Sequence, residues 1–122
     1  MHNLGADALT LALTTNAAAP VATNSVLADL TQISYTNLSA RVLTISSSAQ
    51  TTGTYKLVVA DLVLTASGAV ATFRHVETYN DTPTSPADPL ICWHDYGSDV
   101  TLANGETFTY DADPTNGLLQ IA

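Results

Sequence analysis

The stretch Ala69 to Gly97, AVATFRHVETYNDTPTSPADPLICWHDYG, sets two strand-like runs on either side of a segment that no β-ladder tolerates. Within NDTPTSPADP, Pro83, Pro86 and Pro89 supply no ladder N–H, and each pushes its predecessor out of the helical region. On the flanks, Val70, Thr72, Arg74, Val76 and Thr78 alternate with Ala71, Phe73, His75, Glu77 and Tyr79, while Ile91, Trp93 and Asp95 alternate with Leu90, Cys92, His94 and Tyr96. A period of two is the strand signature, and aromatic and β-branched residues suit a pleated surface. The expectation is two strands joined by a wide loop, at the centre of a β domain.

The remaining chain supplies shorter strands. Ala6 to Thr15 alternates Leu9, Leu11 and Leu13 with Thr10, Ala12 and Thr14, the pattern of a half-buried strand. Asn16 to Pro20 reads as a turn or short arm. In SVLADLTQI, Val26, Leu27, Leu30 and Ile33 fall on one face of a helix that Asn24 or Ser25 caps. Leu38 to Ser46 is expected as a strand and Ser46 to Gly53 as a polar loop. Tyr55 to Thr65 is nearly continuous in apolar residues, either one strand buried on both faces or two strands broken near Ala60 and Asp61. Asp99 to Ala103 and Glu106 to Tyr110 flank Asn104-Gly105, the strongest hairpin signal present. Leu118 to Ile121 closes the chain as a strand. These elements give a mainly β fold: an antiparallel β-sandwich, jelly-roll or immunoglobulin-like, of about 7–9 short strands with at most one short helix. Residues 1–122 are expected as a single domain, with residues 1–6 as an extended arm.

Charge narrows the function. Only 11% of residues are charged, against roughly 25% in typical soluble domains, so much of the surface must be Thr, Ser, Asn and Ala. Such a surface desolvates cheaply, which tilts the chain towards assembly. The net charge is -8, with Arg41, Lys56 and Arg74 as the fixed positives. A nucleic-acid or anionic-membrane partner requires a basic patch, which this chain lacks. A single cysteine, Cys92, excludes an internal disulfide and a cysteine-based zinc site; in its apolar strand it reads as a buried thiol. The N-terminus has no basic, uninterrupted apolar leader, and no run reaches the roughly 18 residues of a membrane helix, so synthesis in a cytoplasm is expected.

Three segments then suggest a kinship: ADLVLTASGAVATFRHVETYNDT (Ala60 to Thr82), PLICWHDYG (Pro89 to Gly97) and GETFTYDADPTNGLL (Gly105 to Leu119). In these the chain resembles a group of small virion structural proteins of tailed bacteriophages, over roughly its last two-thirds. The resemblance implies a capsid cement or decoration subunit on the head exterior. Its implied partners are the major capsid protein and further copies of itself, as a homodimer or homotrimer. It brings no catalytic residues and no cofactor. TFRHVETY departs from the family pattern, which is more apolar there, so His75 and Glu77 are expected to face solvent or a partner.

Candidate sites have ordinary readings beside the sharper ones. His75 and His94 share a possible register across the central hairpin, yet the remaining ligands of a metal site are unidentified. Asp111, Asp113 and Asn116 resemble half a calcium loop, but position six is Asn116 rather than Gly and position twelve is Ala122 rather than Glu. No G-x-S-x-G elbow is present, and Cys92 and His94 are not a catalytic pair. Neither catalysis nor a metal is expected. Phe73, Trp93, Tyr96, Phe108 and Tyr110 are expected either in the core or at an interface, most of them in the core. For an interface the expectation falls on Tyr35, Tyr55, His75, Glu77 and Tyr79, tyrosine being favoured at contact surfaces.

Overall fold

The computed structural model describes residues 4–112, 115 and 117–121, without the side chains of Leu119 and Ile121. It is mainly β and antiparallel. Its strands are β1 (Leu9–Thr14), β2 (Ile45–Thr51), β3 (Thr54–Val59), β4 (Leu62–Thr65), β5 (Phe73–Asn80), β6 (Leu90–Val100), β7 (Thr107–Tyr110) and β8 (Leu119–Ile121). They form sheets of order β1-β5-β6, β2-β3-β8 and β4-β7.

The central pair forms as its pattern dictates. Antiparallel β5 and β6 place His75 opposite Asp95, Val76 opposite His94 and Glu77 opposite Trp93. β6 continues past Tyr96 to Val100, which pairs with Phe73. That extension takes up Asp99 and Val100, so the separate edge strand expected over Asp99 to Ala103 does not form. The Asn104-Gly105 turn does close, with Glu106 N–H donating to the Ala103 carbonyl at 3.0 Å and Gly105 at φ 86°. Its flanks find other partners: β5 already holds the chain before the turn, and β7 pairs with β4, Leu62 opposite Tyr110.

β1 is buried along its whole length rather than on one face. β5 pairs with one edge, Leu13 opposite Val76. On the other edge, Ile33 N–H donates to Leu13 at 3.0 Å, Leu11 N–H to Arg41 at 3.0 Å and Leu43 N–H to Leu9 at 2.8 Å. Leu9, Leu11 and Leu13 enter the core with Leu57, Leu64, Val70, Phe73 and Val76. Thr10, Ala12 and Thr14 take the opposite face, also buried. The chain after β1 runs along that face: the 3-10 turn Asn16–Ala18 touches β5, and Pro20 is buried beside Glu77. Asn16 to Pro20 is therefore packed on its own sheet and is no free arm. Leu4 likewise packs against the core, and residues 1–3 of the expected arm lie outside the described residues.

Two further expectations are corrected. The helix over Ser25 to Ile33 is reduced to a 3-10 turn at Leu27–Asp29. Asp29 Oδ2 accepts the N–H groups of Ser25 (2.8 Å) and Val26 (3.2 Å), and the Ile33 N–H, which a helix would direct to Asp29, goes to Leu13. Side-chain competition and strand pairing override the helical period. The strand expected over Leu38 to Ser46 makes only single bridges at Leu38 and Val42, whereas the polar SSSAQT segment is strand β2. Thr52 (φ 50°) and Gly53 (φ 86°) form a two-residue turn of the primed type, which sets Thr51 opposite Thr54 and zips β2 onto β3. Tyr55 to Thr65 follows the second of its two readings, with a break at Ala60-Asp61, where Asp61 Oδ1 accepts Ala112 N–H at 2.7 Å.

Gly117, at φ 80°, lies against β3, and a Cβ there would sit 2.5 Å from the Leu57 carbonyl oxygen. Gly117→Ala is expected to lower unfolding stability by about 2 kcal/mol, read by chemical denaturation, because it adds left-handed strain to a backbone clash.

Candidate functional site

β6 is the outer strand of its sheet. Its first residues are tied down: Leu90 N–H donates to the Ser25 carbonyl at 2.9 Å, and Val26 bridges Pro89. From Trp93 to Asp99 every residue is exposed. Trp93 is 47% and Tyr96 58% accessible, so these two fall outside the core in which most of the five aromatics were expected. Three residues apart on a strand, they project from opposite faces. Tyr96 packs edge-on to Phe108 of β7 at 5.3 Å, and Trp93 stands 6.0 Å from the His75 ring. Of the five aromatics expected inside, Phe73 is fully buried, and Phe108 and Tyr110 are half-buried.

The register settles the histidine pair. His75 lies opposite Asp95 and His94 opposite Val76, so the two imidazoles occupy opposite faces and share no ligand set. Asp113 and Asn116 of the partial calcium loop lie outside the described residues.

The outer face of β5 carries His75, Glu77 and Tyr79, all buried, so His75 and Glu77 do not face solvent as one of the two expectations had it. Two-sided burial of β1 and the overlying chain from Asn16 onward close that face. Glu77 is 1% exposed. Thr14 Oγ1 donates to its Oε1 at 2.6 Å, while Oε2 has no hydrogen-bond partner. Burial pushes this carboxyl up to about 7, with the Thr14 hydroxyl and the backbone N–H of Glu77 opposing the shift. His75 makes no hydrogen bond from either ring nitrogen; its Nδ1 stands 4.0 Å from Asp95 Oδ1. Asp95 is held by Arg74 (Nε to Oδ1, 2.9 Å) and by the Gly97 N–H (2.8 Å), which lower its pKa.

Tyr35 reaches the same region from the neighbouring segment. Its hydroxyl donates to Gln32 Oε1 at 2.6 Å and accepts the Leu13 N–H at 3.0 Å, and burial raises its pKa. The Arg41 guanidinium lies 3.6 Å from the centre of its ring and donates to the Leu11 carbonyl. Tyr55 stands apart, half-buried on β3, its hydroxyl 2.8 Å from Ser48 Oγ. Four of the five expected residues thus gather around β1 and the outer face of β5, but under cover. Sequence reasoning missed Trp93 and Tyr96; the signal was the polar run HDYGSD, which fits an exposed strand end.

Between this face and the β6 rim lies a cleft of about 210 Å³, lined by Pro20, Val21, Leu90, Cys92 and Trp93, with the nearly buried Glu77 also on its lining. Cys92 is half-buried and burial raises its thiol pKa, which makes it a poor nucleophile.

No protein-family model, no curated protein and no solved structure matches this chain.

Proposed function

We propose that the chain is a structural subunit of a tailed-phage virion: a cement or decoration protein that binds the major capsid protein lattice on the head exterior. In this reading the three sheets assemble as a β-sandwich of the jelly-roll or immunoglobulin kind, and the working unit is a homodimer or homotrimer. The observation that carries it is the rim of β6. Here an edge strand of 11 residues is exposed from Trp93 to Asp99 and presents an aromatic on each face. Solitary proteins commonly blunt such edges with lysines or a covering element, because an open edge recruits another chain. This rim also takes in WHDYG, the end of PLICWHDYG, one of the segments in which the chain resembles the virion group. The low charge content fits a surface that gives up water at little cost. Each copy would bury the rim across a capsomer boundary, and many copies acting together would oppose internal DNA pressure at modest affinity per copy.

A tail, neck or fibre-base subunit would use the same rim. The exposed indole of Trp93 favours a further reading, a carbohydrate-binding module for host attachment. Against it, Trp93 and Tyr96 point to opposite faces and make no joint stacking platform.

Co-sedimentation tests the proposal. Heads assembled from the encoding phage's major capsid protein without this chain should carry it to the bottom of a gradient when it is added back. A chain that stays at the top while the heads sediment contradicts the reading. Trp93→Ala and Tyr96→Ala, both on exposed side chains, should leave the melting temperature nearly unchanged and together weaken capsid binding about tenfold or more.

A further inference from the structure

The cleft beside Trp93 combines an apolar wall, an indole and one buried carboxyl oxygen with no partner. We propose that it is a socket for a single primary ammonium group, presented by a lysine side chain of a partner protein. Its size is the first ground. At about 210 Å³ it falls below the roughly 300 Å³ of pockets for drug-sized molecules, and suits one extended side chain.

The floor is the second. Thr14 donates to Glu77 Oε1, while Oε2, buried just behind the cleft lining, lacks a side-chain donor and is reached by an ammonium once the carboxyl turns towards the cleft. One free oxygen matches the point donor of an ammonium, whereas a forked guanidinium engages both oxygens of a carboxylate. A buried acceptor without a donor is costly, and an incoming ammonium removes that cost. The walls complete the match: Pro20, Val21 and Leu90 can line the alkyl stem while the Trp93 ring attracts the charge.

Charge is the third. The chain carries a net charge of -8, and its three fixed cations are engaged elsewhere. Arg74 pairs with Asp95, Arg41 donates to the Leu11 carbonyl and Lys56 to the Thr115 carbonyl at 2.9 Å. Because burial raises the Glu77 carboxyl to about 7, entry of an ammonium displaces a proton near neutrality. The titratable and charged neighbours are His75 and Tyr79 on β5, Cys92 and Asp95 on β6, and Tyr35 and Arg41 beside β1. The inference goes beyond the virion reading, which sets the exposed indole of Trp93 against the capsid but gives Glu77 no ligand. Its test needs no capsid, so the two stand or fall separately.

The test is titration of the full chain with n-butylamine, with n-butanol as the neutral isostere. Trp93, the sole tryptophan, reports by fluorescence, and the Glu77 side-chain carbonyl reports its ionisation by NMR shift. Butylamine should saturate, move Glu77 towards the carboxylate and bind about tenfold more tightly than butanol. Glu77→Gln should remove that preference. Trp93→Leu, which keeps the fold because the indole is half-exposed, should weaken amine binding as read by NMR. Equal binding of amine and alcohol, a preference that survives Glu77→Gln, saturation by glucose or galactose but not by amine, or no saturable response to any probe would each overturn the proposal.

Discussion

Replacing Phe73 with alanine should remove a large part of the stability of the fold. Phe73 is fully buried at the head of β5, and its ring meets Phe108 of β7 edge-on at 5.1 Å and 85°. Phe108 in turn packs against Tyr96 of β6. One ring therefore ties the β1-β5-β6 sheet to the β4-β7 ribbon. Truncating a buried phenylalanine costs about 3–5 kcal/mol, from lost transfer energy and the cavity left behind. The edge-to-face pair accounts for about 0.5–1.5 kcal/mol of interaction beyond area. Domains of this size hold about 5–15 kcal/mol in total, so Phe73→Ala should take a large part of it. Urea titration followed by far-ultraviolet circular dichroism measures the loss. A drop below about 1 kcal/mol would mean that this ring does not join the two sheets.

The second large effect is on the pH dependence of stability. Glu77 has a folded-state pKa of about 7 against an ordinary 4.5, because burial disfavours the carboxylate. Between those values the folded chain holds a proton that the unfolded chain has released. The contribution of Glu77 to stability is therefore greatest below about pH 4.5, falls as pH rises towards 7, and levels off above it. At about 1.4 kcal/mol per pKa unit the fall amounts to about 3 kcal/mol. Glu77→Gln stays neutral throughout, keeps an acceptor for Thr14, and should flatten the profile so that the variant exceeds the parent above pH 7. His75 and Asp95 are common to both proteins, so the difference between the two curves isolates Glu77. Parallel curves would show that the carboxyl is solvated in the folded chain.

Legibility in the sequence followed the source of each element's stability. The β5–β6 hairpin could be read because its register and its aromatic and β-branched residues act locally, and its prolines mark the loop. β2 could not, because its side chains are largely exposed and its pairing comes from the Thr52-Gly53 turn rather than from apolar alternation. β1 shows the reverse limit. Its threonines read as a solvent face, yet Thr14 is buried because a glutamate one strand away accepts its hydroxyl. The helix over Ser25 to Ile33 failed because long-range partners, Leu13 and Asp88, claim its N–H groups.

The same limit governs the site. His75, Glu77 and Tyr79 alternate on one strand, so their shared face was visible. That the face is covered by the turn at Asn16–Ala18 and by Pro20 was not, since their crossing depends on where β1 sits. For Trp93 and Tyr96 residue type alone left core and interface open and favoured the core. Their exposure follows from β6 being the last strand of its sheet, a fact of topology.

The most direct test of the central claim is cryo-electron microscopy of phage heads reconstituted with the chain. The virion reading predicts ordered density at capsomer boundaries, with the β6 rim and Trp93 against the major capsid protein. Heads left bare at saturating protein would contradict it.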